Sequence, residues 1–488
     1  MRSNRHRKKA ARRSARRPAT APLPGPLRTE LGSAQLLLLF RQMLPGRRLA
    51  AWLNLSPRKF YQRAWTPLIT LWYLVFQRLN PDHTLGAALT DAEDGGADAL
   101  SPKGKRLSRQ IKSPATTAYS DARQRLPMAF VRQALEHTAQ QVRSLARDLQ
   151  WRGWNVVLLD GSTVRLRPAG DIPKHFPPHP GRRRTHCYWC LMRVVVGFCL
   201  STGVVLGTAF GANQVSEQAL AGQFLLQTAA AAGSLFVGDR NFGVFSFLQA
   251  VRHARGAALV RLTEARARKV LHGTGWKLSR PVDVLVTWAP SPHDQLHPDC
   301  KAGPVAGRLL VVRVNRPGFR SQLLYLFTTL TDLEAYPPAA LAALYGARWH
   351  VELNLRYVKT QMELATLDCK SADLARKEWL AGLLAYNLVR AVMVAAAARQ
   401  GVPVTRLSFS RSKQLLVVWL RRWAWKPNTP VAAWERFLAR VARCRQPKRR
   451  KRRDSEPRAI RYFKTSFPPL KGDRSIAREK LKISNAKS

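Results

Sequence analysis

Tyr345-Gly-Ala-Arg-Trp-His-Val-Glu-Leu-Asn-Leu-Arg-Tyr-Val-Lys359 follows Pro337-Pro338 and the strong helix formers Ala339 to Leu344. The run predicts one helix. Residues seven apart on a helix drift by only ~20°, so Tyr345, Glu352 and Lys359 share a face. Arg348, one turn before Glu352, joins them. A carboxylate set between two cations and a phenol suits a metal-bound phosphodiester: the acid holds a divalent ion and the cations hold phosphates. The plainer alternative is a solvated face on which Glu352 pairs with Arg348 and Arg356 at i±4.

Tyr345, Arg348, Glu352 and Lys359 fall at the spacing Tyr-x2-Arg-x3-Glu-x6-Lys. That pattern resembles the signature of a group of bacterial insertion-sequence transposases, the family named after insertion sequence four. The resemblance implies a DDE enzyme, in which two upstream aspartates complete the site. Two candidates stand out. Asn155-Val-Val-Leu-Leu-Asp160 is a short apolar run ending in an acid, and so is Ser234-Leu-Phe-Val-Gly-Asp239. Both read as buried strands with a carboxylate at the C-terminal tip. Asp239 lies in Asp-Arg-Asn-Phe-Gly, similar to an Asp-Arg-x-Phe run of that family; Asp160-Gly161 alone could be an ordinary turn.

The chain has 488 residues, with 82 Lys+Arg against 29 Asp+Glu, a net charge of +53. Such an excess asks for a polyanion: nucleic acid first, anionic membrane second. An arginine-rich genome would also inflate the charge. The basic start Arg2 to Arg17 is followed by Pro18 to Pro26 and not by the apolar core of a secretory signal. Trp379 to Ala398 is the longest apolar region, but Asn387 and Arg390 interrupt it, so it reads as a core helix and not a membrane span. Six scattered cysteines fit a reducing bacterial cytoplasm without a disulfide framework.

In order, residues 1–27 form a basic arm expected to be disordered, and 28–150 read as a helical N-terminal domain. The resembled family uses such a domain to bind transposon ends; a dimerisation module is the alternative. Helices are expected over Leu36–Leu44, Lys59–Leu79, from Ala118 with Ser120 as cap, and Phe130–Leu149. Residues 151–261 then alternate. Strands are expected at Asn155–Asp160, from Val164, over Cys187–Cys199, Thr202–Phe210, Ser234–Asp239 and Ala257–Val260, with helices over Ser216–Ala231 and Val244–His253. The resemblance supplies an RNase H-like α/β core, a mixed sheet flanked by helices; periodicity alone shows only the alternation. Residues 262–325 read as a β-rich insertion, in which Trp276 and Trp288 either stack on a base or pack the module's own core. The core resumes over 326–400, helices continue through 401–444, and 445–488 is a basic tail expected to be disordered, with Lys448-Arg-Arg-Lys-Arg-Arg453.

Taken together, the resemblance implies that Asp160, Asp239 and Glu352 bind two Mg2+ (or Mn2+) ions. It implies that Tyr345, Arg348, Trp349 and Lys359 grip DNA. The activity implied is cut-and-paste transposition of double-stranded DNA by nicking, hairpin formation and strand transfer, in a dimeric synaptic complex. A DNA-binding relative that no longer cuts, an RNase H-like nuclease and a structural basic protein are the competing readings. His186, Cys187 and Cys190 invite a zinc site, but only one half-site is present on a predicted strand.

Overall fold

The computed structural model describes residues 29–43, 64–101, 105–146, 149–180, 186–228, 231–272, 275, 278, 282–296, 300, 303–314, 322–423, 428–447 and 473–485. The basic arm 1–27, Trp276 and the run Lys448–Arg453 lie outside them.

The N-terminal part is helical: α1 (Ser33–Gln42), α2 (Pro67–Leu79), α3 (Leu85–Glu93), α4 (Thr117–Arg125) and α5 (Met128–Ser144). Thr66 caps α2 by accepting the Ile69 N–H, and Pro67 opens its first turn. Ser120, expected as a cap, lies inside α4; Thr116 holds the cap position. After these come β1 (Asn155–Leu166), β2 (Pro178–Pro180), β3 (His186–Cys199), β4 (Val205–Ala212), α6 (Glu217–Gln227), β5 (Ser234–Gly238), α7 (Phe245–His253), β6 (Ala257–Leu262), α8 (Glu264–Leu271), β7 (Val282–Trp288), β8 (Val305–Val314) and β9 (Gln322–Thr328). The chain continues through α9 (Pro338–Ala347), α10 (Trp349–Arg356), β10 (Thr366–Leu367), α11 (Ala372–Gln400), α12 (Phe409–Trp423), α13 (Val431–Arg443) and α14 (Arg474–Asn485). The last of these is helical structure within the tail expected to be disordered.

The ten strands among the described residues form one mixed sheet flanked by helices, in the order β2-β3-β1-β5-β6-β9-β8-β7, with β4 also on β3 and β10 also on β1. β1, β5 and β6 run parallel, while β3 and β4 are antiparallel neighbours on the other side. The three strands expected in 262–325 form, but they extend this same sheet through β6 and β9. Trp288 packs between Phe245 and Phe327, so it serves the core.

One correction concerns β1. The sequence places a strand end at Asp160 and a new strand at Val164; the structure has a single twelve-residue strand. The reason is β3, which pairs with it continuously from Val157↔Cys199 to Leu166↔Cys190 and carries the ladder across Gly161-Ser162. On the opposite edge the partners are short. β5 covers Asn155 to Leu158, and β10 covers Arg165 and Leu166. Residues 159–164 of β1 therefore border a notch in the sheet.

Helix α11 is the central support. Its 29 residues are long and apolar enough to cross a membrane, but the apolar window is entirely buried inside the protein. Its polar residues have backbone work. Asn387 bonds both the N–H and the C=O of Val205, Arg390 donates to the Thr202 carbonyl, and Tyr386 donates to that of Gly203. Gly203 is left-handed at φ 69°, and Arg390 fills the space a Cβ would need. At its other end Glu378 is buried between Arg78 of α2 and Arg123 of α4. Glu378→Ala should leave both guanidinium groups buried without their acid and lower stability by about 3–5 kcal/mol, measured by urea unfolding. A loss below ~1 kcal/mol would show that the network is solvated and dispensable.

Candidate active site

Four elements meet at the notch. β1 brings Asp160, Gly161 and Ser162 along its uncovered edge. Asp239 follows the last residue of β5 directly. The segment after β9 brings Tyr345, Arg348, Glu352 and Lys359, and the first turn of α6 brings Glu217.

The Tyr345–Lys359 segment is not the single straight helix the spacing predicts. α9 ends at Ala347, and Arg348 joins it to α10 through i−3 bonds from Arg348 N–H to the Tyr345 carbonyl and from Val351 N–H to the Arg348 carbonyl. Past Arg356 the helix widens into a π turn over Tyr357–Gln361, a form that frequently marks functional sites. Arg348 donates to Glu352 Oε1 at 2.6 Å, the i,i+4 pairing anticipated as the plainer reading. Lys359 instead points its Nζ at Ser162 Oγ of β1, 3.0 Å away.

Arg348 is nevertheless more than a surface partner. It is mostly buried; burial lowers its pKa, but the Tyr345, Glu352 and Asp160 groups around it outweigh that and hold it above its ordinary value. Burial raises the Tyr345 phenol, opposed by Arg348 and Arg261. Burial also lowers Lys359, helped by the nearby Arg165. Trp349 is about half exposed beside them (49%). Burial pushes the Asp160 carboxyl up to about 7; Arg348 pulls it down, while Asp239 and Glu217 push it further up.

So Asp160 and Asp239 lie within each other's field, and Glu352 reaches the same neighbourhood through Arg348. Among the described residues, no three Asp, Glu, His or Cys side chains are gathered as tightly as a bound metal ion requires. The donor chemistry still fits a hard divalent cation, because Asp160, Asp239 and Glu352 offer oxygen ligands only.

Residues 151–388 match the family described as the transposase DDE domain. The chain is 28% identical over 307 residues to the transposase InsG of insertion sequence element IS4 from Escherichia coli (strain K12), covering 61% of this chain and 66% of that protein. The chain is thus similar to DDE transposases of the IS4 type. A putative transposase, y4zB, of Sinorhizobium fredii (strain NBRC 101917 / NGR234) is 31% identical over 81 residues, 17% of this chain and 22% of that protein. A solved piggyBac transposase synaptic complex with hairpin DNA matches at 11% identity and a TM-score of 0.41, over 83% of this chain and 85% of that one, an overlap too loose to carry weight.

The sequence alone does not single out Glu217, Asn241 or Ser162. Each depends on a contact between segments far apart in the chain. For Glu217 the sequence offers only an acid in a helix's first turn, which the helix dipole explains. The zinc reading at His186, Cys187 and Cys190 involves two side chains outside the described residues; Cys190 is buried in β3 and unpaired.

The Asp160 carboxyl has a consequence for stability. Its folded pKa lies above its unfolded one, so the fold holds this proton more tightly, and stability falls as pH rises from the ordinary aspartate range through about 7. Asp160→Asn removes that dependence. Without divalent metal, the variant should melt several degrees above wild type at pH 8, with the gap closing towards pH 5. Equal melting temperatures at pH 8 would show that Asp160 is ionised without cost.

Proposed function

We propose that this chain is an active DNA transposase that mobilises an insertion sequence by cut-and-paste, with Asp160, Asp239 and Glu352 as its three acids. The observation that carries the reading is the meeting of Asp160, Asp239 and the Arg348–Glu352 pair at the notch, inside the region matching the DDE domain. The order β1, β3, β4, α6, β5, α7, β6, with β1, β5 and β6 parallel, supports reading the core as RNase H-like.

Two divalent ions, Mg2+ or Mn2+, held by Asp160, Asp239 and Glu352, would supply Lewis acidity and an activated water or 3′-hydroxyl when bound. The protein's own part is positioning and charge. Glu352 becomes available as a ligand when Arg348 transfers its guanidinium from Glu352 to a DNA phosphate; the geometry of a fork donor suits that exchange. Lys359, anchored at Ser162 on the far side of the notch, holds a second phosphate. Tyr345 is buried and its phenol stays protonated, so it serves as a hydrogen-bond donor to a phosphate oxygen, not as a nucleophile. The half-exposed Trp349 packs on the DNA end, where a hairpin would form. Nicking, hairpin formation, opening and strand transfer then follow at one site. A dimer in a synaptic complex and a bacterial, nucleoid-associated setting complete the proposal. The free cysteines among the described residues fit a reducing compartment.

A relative that binds DNA without cutting is favoured by one observation, the Arg348–Glu352 pair that occupies the third acid. Cleavage of DNA carrying the element's own ends, in Mg2+, separates the two. Wild type should release a 3′-OH nick and then a hairpinned end. Glu352→Gln should bind the same DNA and cut it at least about a hundredfold more slowly. Binding without cutting by wild type in both Mg2+ and Mn2+ would favour the non-cutting relative. Lys359→Ala should weaken binding and reduce the log–log salt slope by about one phosphate contact, measured by fluorescence anisotropy.

A further inference from the structure

Glu217 is the one acid at the notch that the DDE pattern leaves without a role. It sits in the first turn of α6 behind the cap Ser216, whose hydroxyl accepts the Ala219 N–H at 3.1 Å. An acid there is favourable for the helix dipole wherever its side chain points. This one points into the sheet. A Cβ built on Gly161 of β1 would lie 2.4 Å from the Glu217 carboxyl carbon and 2.6 and 2.7 Å from its oxygens. The carboxylate is therefore packed onto bare backbone next to Asp160, in space that only glycine leaves open. It is also close enough to act on the Asp160 charge.

Its fixed partner is an amide and not a cation. Asn241 Nδ2 donates to Glu217 Oε2 at 3.1 Å, while the Asn241 N–H donates to Asp239 Oδ1 at 2.8 Å and its carbonyl accepts Gln218 Nε2 at 2.8 Å. Asn241 thus ties the turn carrying Asp239 to the turn carrying Glu217. In a chain with 82 Lys and Arg, no cation among the described residues forms an ion pair with Asp160, Asp239 or Glu217. Arg348 acts on the Asp160 charge but is hydrogen-bonded to Glu352, so Asp160, Asp239 and Glu217 have no ion pair of their own among the described residues.

We propose that Glu217 is a fourth carboxylate of this site, a positioning residue that hydrogen-bonds water in the hydration shell of the divalent cation. This rests on the metal-dependent reading above. Mg2+ retains several of its waters when protein-bound, and carboxylates at that second distance commonly fix them. Gly161 is then required as the residue that lets Glu217 approach.

The test is Mn2+ binding to the full-length protein without DNA, followed by electron paramagnetic resonance, together with the Mg2+ dependence of end cleavage. Glu217→Gln keeps an oxygen to accept from Asn241 and removes only the charge, so a purely structural role would leave both readouts unmoved. The expected result is Mn2+ affinity about tenfold weaker and a similar rise in the Mg2+ needed for half-maximal cleavage. Gly161→Ala, which displaces the carboxylate without altering it, should move both the same way. If Glu217→Gln melts early, the Mn2+ titration is read on Gly161→Ala, where unchanged affinity overturns the proposal. Wild type that binds Mn2+ and cuts, with Glu217→Gln indistinguishable from it, overturns the role of Glu217 and leaves the function standing. Wild type that neither binds Mn2+ nor cuts overturns both.

Discussion

The antiparallel pairing of β1 with β3 is the constraint on which the site depends. A ten-residue ladder holds β1 straight and extended past the point where β5 ends. With one edge fully satisfied by β3, the other edge is free to lose its partner for several residues without loss of the strand. The unpaired edge is what makes room for side chains from β5, α6, α10 and the π turn. A shorter β3 would let the chain turn at Gly161-Ser162, and Asp160 would swing out of register with Asp239. Register matters because a one-residue slip would send Asp160 to the opposite face.

Charge explains the rest of the arrangement. The acids of the notch lie in a strongly cationic protein, yet the cations nearest them are spent differently. Arg348 stands among Asp160, Glu352 and Tyr345, and Lys359 is parked on a hydroxyl. Under the function proposed above, a divalent cation held by Glu352 would release Arg348 to a phosphate, so metal binding and DNA grip would be coupled through a single guanidinium.

Much of this was legible in the sequence. Short apolar runs ending in Asp160 and Asp239 marked the strands, because buried parallel strands need no polar face. The spacing of Tyr345, Arg348, Glu352 and Lys359 marked a segment that the fold brings to the notch. Asn387 and Arg390 distinguished a core helix from a membrane span, and both proved to serve the β3–β4 turn. What the sequence hid was non-local. Gly161-Ser162 has the composition of a turn, and only the partner strand thirty residues on overrides it. The π turn at Tyr357–Gln361 has no local signal in the form of Pro or Gly, so the break in helix geometry there was not legible. The closeness of Glu217 to Gly161 depends on how α6 lies across the sheet, which no periodicity reports.

Helix α11 also sets an order of events. Arg78 and Arg123 are joined to Glu378 across 300 and 255 positions of chain, and the helix between those ends is buried on every side. During synthesis, the N-terminal helices leave the ribosome long before their buried acid exists, with two arginines and an apolar surface awaiting it. Such long-range closure is slow and leaves early segments exposed to chaperones and proteases. A chain truncated before α11 would lack both the buried acid that pairs Arg78 and Arg123 and the apolar helix on which α2 and α5 pack.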